Sequence, residues 1–193
     1  MRSLLDKCWY RRVRAMKRAL SKCVLAGVAL MSASAFDGGA AAGRAGFADW
    51  ATLHSERYGF MIAYPGNVFT PQEVRGGGDG HVLVSRDGTA RLLVATFDND
   101  TDATLEEYRD LLLEQNYTGA ELDYAPMKKR WFVISGTREG TMFYERVSFT
   151  CGGKLINSWA MLYPVAERNF YDRVVEAVAR TYTPGAGRTG ACD

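Results

Sequence analysis

Residues 131–163 read WFVISGTREGTMFYERVSFTCGGKLINSWAMLY. The run divides into WFVISGT, MFYERVSFT and KLINSWAMLY, separated by Arg138-Glu139-Gly140 and Cys151-Gly152-Gly153. Aromatic and β-branched side chains pack well on a pleated surface, and glycine takes the backbone angles of tight turns. The stretch therefore reads as three antiparallel strands in a meander, at the centre of a sheet. No catalytic signature falls inside it.

Outward from this centre, the elements follow from periodicity. On the C-terminal side, Pro164 stops the last strand and a helix is expected over about 166–182, ended by Pro184. Phe170, Val174 and Val178 lie on one stripe, widened by Tyr171, Val175 and Tyr182. On the N-terminal side, alternation over 57–65 puts Tyr58, Phe60, Ile62 and Tyr64 on one face. Residues 81–85 and 90–97 form a hairpin around Asp87-Gly88, a favoured turn pair. A helix then starts at Thr104, whose spacing to Glu107 is that of a capping box. Leu105, Tyr108, Leu111 and Leu112 make its apolar stripe. A short strand near 121–125 and the basic turn Lys128-Lys129-Arg130 lead into the meander. The expected fold is α+β: an antiparallel sheet of about six strands flanked by two amphipathic helices, an α/β/α sandwich.

The first 42 residues read as a secretory signal. Arg11, Arg12, Arg14, Lys17, Arg18 and Lys22 precede the apolar run from Cys23 to Met31, and small residues at 33–35 and 40–42 offer two cleavage sites. Residues 1–15 are either an extended basic region or precede a true start at Met16. The apolar run is short for a membrane span, which weighs against an uncleaved anchor. Cys23 follows Lys22 and precedes its apolar run, the wrong order for lipidation. The expected organisation is a signal over 1–42, a flexible segment over 43–56, one α+β domain over 57–184 and a tail over 185–193. The mature chain is expected in the periplasm or secreted, with no stable membrane span.

The whole chain has a formal charge of +2, but the signal carries eight of the basic residues. From Gly43 onward, sixteen basic residues face twenty acidic ones. A slightly acidic body argues against nucleic-acid binding, which is driven by phosphate contacts. Two cysteines remain after the leader, Cys151 and Cys192. In an exported chain they point to a disulfide, with two free thiols as the alternative.

Each candidate for chemistry has a structural counterpart. Asp98, Asp100 and Asp102 have the spacing of the first ligands of a calcium loop, but Ala103 and Arg109 occupy positions that such a loop needs for Gly and Glu. Acids leading into a helix N-terminus explain them as well. His81, Ser85 and Asp87 lack a nucleophile elbow. His54 has no ligand neighbour at metal spacing. The glycine-rich loop 75–81 lacks the ending of a phosphate loop. Glu106, Glu107, Glu145 and Glu167 are carboxylates available for acid–base work or for salt bridges. Glu145 and Arg146 are neighbours in one strand, so they point to opposite faces. Asn157 and Trp159 share one strand face, either as sheet core or as the wall of a pocket. Lys128, Lys129 and Arg130 are either a solvated turn or a docking patch for an anionic partner. No cofactor is called for.

Several segments resemble small exported proteins of alphaproteobacteria whose function is unassigned: GFMIAYP at 59–65, SRDGTARL at 85–92, EEYRDLLL at 106–113, WFVISG, FYERV, CGGKLIN at 151–157 and YPVAERNFYDRVVEAVAR at 163–180. More broadly, the order of elements from Tyr58 to Thr183 resembles the PsbP-like sandwich. The shared motifs are Phe60-x-x-x-Tyr64-Pro65 and the late helix ending in Arg180-Thr181-Tyr182. That resemblance implies an accessory or binding module with a protein partner in the envelope, and it transfers no catalytic residue. The alternative expectation is an envelope hydrolase using a carboxylate or His81.

Overall fold

The computed structural model describes residues 47–72 and 80–192. The expected leader, residues 43–46 of the lead-in segment and most of the glycine-rich loop fall outside the described residues. The elements in order are β1 (Trp50–His54), β2 (Met61–Pro65), β3 (Phe69–Gln72), β4 (His81–Ser85), β5 (Arg91–Asp98), α1 (Leu105–Asn116), β6 (Glu121–Tyr124), β7 (Met127–Lys128), β8 (Trp131–Arg138), β9 (Thr141–Thr150), β10 (Leu155–Pro164) and α2 (Arg168–Ala179).

The central meander is β8, β9 and β10, and it forms the middle of an eight-stranded sheet in the order β3-β4-β5-β10-β9-β8-β6, with β7 also on β8. All the pairings are antiparallel. The sheet thus has more strands than the six expected, within the same α+β class. β1 and β2 make a separate two-stranded ribbon. β1 corrects the flexible segment expected over 43–56. Only Ala51 and Leu53 of it pack on the core, so its alternation is too weak to read.

Local chemistry places the strands. Arg138 pairs with Thr141, so Glu139-Gly140 is a two-residue turn, and both have positive φ (50° and 77°). That is the mirror-image turn whose twist matches an antiparallel hairpin. Gly136 on β8 sits where a Cβ would run into the Glu121 carbonyl, so only glycine lets β6 close on β8.

The sheet has two covered faces. On the first, Leu92, Val94, Trp159, Met161 and Tyr163 pack with Tyr171, Val174, Val175 and Val178 of α2, with Ile62 and Tyr64 of the ribbon and with Phe60 just before it. Each fully buried valine or leucine there contributes roughly 1.5–3 kcal/mol of transfer free energy. The hydroxyl of Tyr163 donates to Asp172 at 2.6 Å and fastens α2 to β10. Thr181 bonds Ala63, and Met61 bridges Thr183, so the chain beyond α2 is stitched to β2. On the second face, α1 buries Leu105, Tyr108 and Leu112. The Tyr108 ring meets Phe97, Phe132 and Phe149 at 6.3, 6.5 and 5.8 Å. The expected capping box is formed: Glu107 N–H donates to Thr104 Oγ1 and Thr104 N–H to Glu107 Oε2. Among the described residues, no helix is long and apolar enough to cross a membrane.

Candidate functional site

Asn157 is fully buried and its amide is spent inside the fold. Thr96 Oγ1 and the Gly185 N–H donate to its Oδ1 at 2.8 and 2.7 Å. Its Nδ2 donates to Thr150 Oγ1 at 2.9 Å and toward the carbonyls of Gly185 and Ser148. A side-chain amide has two donors and one acceptor oxygen, so nothing is left for a ligand. This corrects the pocket-wall reading of Asn157: the residue anchors the C-terminal segment. Cys192 secures the same segment farther along through its disulfide with Cys151, across 5.1 Å between Cα atoms.

The aspartates do not converge. Asp98 accepts from the Tyr58 hydroxyl at 3.1 Å and pairs with Arg57 at 3.7 Å. Asn99, between the acids, holds the loop: its Nδ2 donates to the carbonyls of Ala103 and Gly153, and its Oδ1 accepts from Ala103 N–H. Among the described residues no group of three or more His, Cys, Asp or Glu gathers to hold a metal. A cleft of about 460 Å³ opens beside Asp98, lined by Arg57, Tyr58, Leu155, Gly187 and Arg188. Its two central charges, Arg57 and Asp98, face each other.

His81, Ser85 and Asp87 are not a triad. Ser85 Oγ donates to Asp87 at 2.5 Å and accepts from Ala90 N–H, which is turn chemistry. Those hydrogen bonds, with others from Thr89, hold the Asp87 carboxyl below its usual range. His81 lies at the other end of β4, edge-on to Phe60 at 5.8 Å. Glu145 is buried on the α1 face. It accepts from the Tyr117 hydroxyl at 2.5 Å and from Ser158 Oγ at 2.6 Å. Burial raises its pKa, against the opposing pull of those two hydrogen bonds. Tyr117 is raised further, first by burial and then by the Glu145 charge, and it stacks on Phe143 at 4.2 Å.

Arg146 takes the opposite face, as strand alternation requires. The register sets it across from Trp159 on β10 and Val133 on β8. Its guanidinium lies 4.9 Å over the Trp131 ring. Trp159 is fully buried between Tyr144 at 5.0 Å and Tyr182 at 6.1 Å, which makes it the inner wall of this cluster. From β10 to β8 the face grades from core into partly exposed surface: Trp131, Ser135, Tyr144 and Arg146 are half-buried, and Tyr124 is 58% exposed. Among the described residues, Arg146 has no carboxylate partner. Lys128 on β7 is exposed beside Trp131, and Lys129 and Arg130 follow in the turn. Burial raises the phenols of Tyr144 and Tyr182, and the Arg146 charge lowers both.

Trp159 and, through Lys128 beside Trp131, the start of the basic turn thus belong to one aromatic and cationic cluster, while Asn157, on the same strand face, is closed off by the C-terminal segment. The sequence reading missed Trp131, Tyr144 and Tyr182 as its members. An arginine in mid-strand with Tyr144 two residues before it was the available signal.

No family model matches the chain, and no curated protein matches it. Among solved structures, the chain is similar to the solution structure of cyanobacterial PsbP from Synechocystis, with a TM-score of 0.52 and 15% identity over 76% of this chain and 98% of that one. The chain therefore has the PsbP-like fold expected from its order of elements. Weaker similarity extends to a variant of the protein Mog1, with a TM-score of 0.49 and 10% identity over 75% of this chain and 100% of that one. A crystal structure from Bacteroides thetaiotaomicron gives a TM-score of 0.39 and 19% identity over 65% of this chain and 44% of that one.

Proposed function

We propose that the chain is an exported, non-enzymatic accessory module that docks on a protein partner of the cell envelope. The docking surface is the β6–β8–β9 part of the sheet face, where Trp131 and Tyr144 flank Arg146 and Tyr124 lies beyond Tyr144 at the exposed edge. The observation that carries this reading is Arg146: a half-buried cation with no carboxylate among the described residues, set on tryptophan and framed by tyrosines. Aromatic residues and arginine are enriched in binding hot spots, where they present large area and directed donors. Export is supported by the leader's composition and by the Cys151–Cys192 disulfide, a bond that persists in oxidising compartments.

The alternative, a hydrolase using His81 or a carboxylate, finds less support. Glu145 is closed in beneath α1, His81 is packed on Phe60, and Asp98 is paired with Arg57.

The reading is tested by capturing partners of the tagged, exported chain from its native envelope fraction. One partner in fixed ratio is expected, lost with the double substitution Tyr124→Ala and Trp131→Ala and retained with Arg57→Ala at the cleft beside Asp98. Retention by the double variant, with its fold intact by circular dichroism, contradicts the docking face.

A further inference from the structure

Three buried polar atoms on this face have no hydrogen-bond partner among the described residues: Nε of Arg146, Nε1 of Trp159 and the hydroxyl of Tyr182. They belong to one cluster. Arg146 and Trp159 are direct cross-strand partners, the Tyr182 ring is 6.1 Å from that of Trp159, and Tyr182 feels the Arg146 charge. Two of the three atoms can only donate, and the phenol donates readily. Native folds leave few buried polar groups unsatisfied, and a group of donors without an acceptor marks a place for one. The guanidinium adds a positive charge that no described carboxylate balances.

We propose that Arg146, Trp159 and Tyr182 form the recognition point for an acidic side chain of the docking partner, a glutamate or aspartate in an extended segment lying across β7, β8 and β9. This rests on the docking reading above and adds its chemistry. The carboxylate meets the Arg146 guanidinium at the surface, in the charge-assisted geometry that arginine favours, and the buried donors of Trp159 and Tyr182 behind it add to the positive potential there. A segment with more than one acid fits better than a lone terminal carboxylate, because the cations are spread out. Lys128 lies opposite Trp131 on β7, and Arg146 lies on β9 beyond it. Two strand spacings and an offset of two residues along the strands separate them, about 12 Å. An extended segment covers that distance in about three to four residues.

The Trp159 indole N–H gives a local readout. The probe is the capped peptide acetyl-Gly-Glu-Gly-Gly-Glu-Gly-amide, titrated against the isotope-labelled exported chain at low salt. A saturable movement of the Trp159 indole resonance is expected. It weakens at least about tenfold with Arg146→Gln, less with Arg146→Lys, and disappears when both glutamates of the peptide are glutamine. Arg146→Gln must keep the native spectrum elsewhere; if it does not fold, the glutamine peptide alone decides. No saturable movement, or equal movement with the glutamine peptide, overturns the inference. So does a response to inorganic phosphate at the same site without one to the peptide. If envelope capture is lost with Trp131→Ala while Arg146→Gln leaves it intact, the docking face stands and the carboxylate falls. If capture ignores both substitutions, the docking reading itself falls.

Discussion

Gly185 is hydrogen-bonded twice to Asn157: its N–H donates to Oδ1 at 2.7 Å, and its carbonyl faces Nδ2 at 3.3 Å. The chain beyond α2 is thereby held against the centre of the sheet by a side chain with no solvent exposure. A Cβ on Gly185 would meet both the Tyr58 carbonyl and the Asn157 amide, so the approach depends on glycine.

Asn157→Leu removes that clamp and strands Thr96 Oγ1 and the Gly185 N–H as buried donors. The expected loss is about 2–4 kcal/mol, read as a lower urea midpoint with an unchanged slope. A change within about 0.5 kcal/mol would show that the amide is not the anchor.

Cys151 and Cys192 are separated by 41 residues. Closing a loop of that length stabilises by about 4 kcal/mol in the chain-entropy model. For a chain of this size the Tm is expected to fall by roughly 10 °C on reduction. Cys192→Ala should show the same loss and no further response to reductant. A reductant-dependent drop that persists in Cys192→Ala would contradict the pairing.

Glu145 gives a pH signature. Its folded pKa is raised above the ordinary value of 4.5, chiefly by burial. The folded state then holds its proton at pH values where the unfolded state has lost it, so stability falls as pH rises from about 4.5 through the folded value. Glu145→Gln removes that slope while keeping one acceptor oxygen; its NH2 group donates to the second of the Tyr117 and Ser158 hydroxyls, which then accepts. Relative to Glu145→Gln, the native chain is expected to be most stable at pH 4 and to lose ground towards neutrality. A parallel pair of pH profiles would mean that the carboxyl is not perturbed.

Gly136→Ala drives a methyl group into the Glu121 carbonyl. The expected cost is about 1–3 kcal/mol, with amide exchange quickening along β6 before the rest of the sheet. Uniform quickening over the whole chain would place the strain elsewhere.

What could be read in advance was local. The capping box at Thr104 and Glu107 and the turn at Glu139-Gly140 involve residues within four positions of each other, so their chemistry is written in the chain. The stripe of Tyr171, Val174, Val175 and Val178 follows from helical period alone. β1 and β3 were not legible. β1 alternates only between half-exposed and exposed residues. In β3 only Phe69 is buried and Pro71 breaks the strand signal. β7 is two residues long. The face around Arg146 was half legible. Alternation separates Glu145 from Arg146, but which of them lies beneath α1 is decided by tertiary packing. Asn157 and Trp159 sit on one face of one strand, yet the C-terminal segment consumes the first, while the second lines the cationic cluster. Nothing within a few residues of either position distinguishes them.

The docking face is tested most directly by site-specific photocrosslinking in the native envelope. A photoreactive phenylalanine analogue replaces Tyr124 on the exposed aromatic rim, or Arg188 at the cleft beside Asp98. The account predicts one crosslinked partner from position 124, competed by the capped acidic peptide, and none from position 188. Crosslinks from 188 and none from 124 would contradict it.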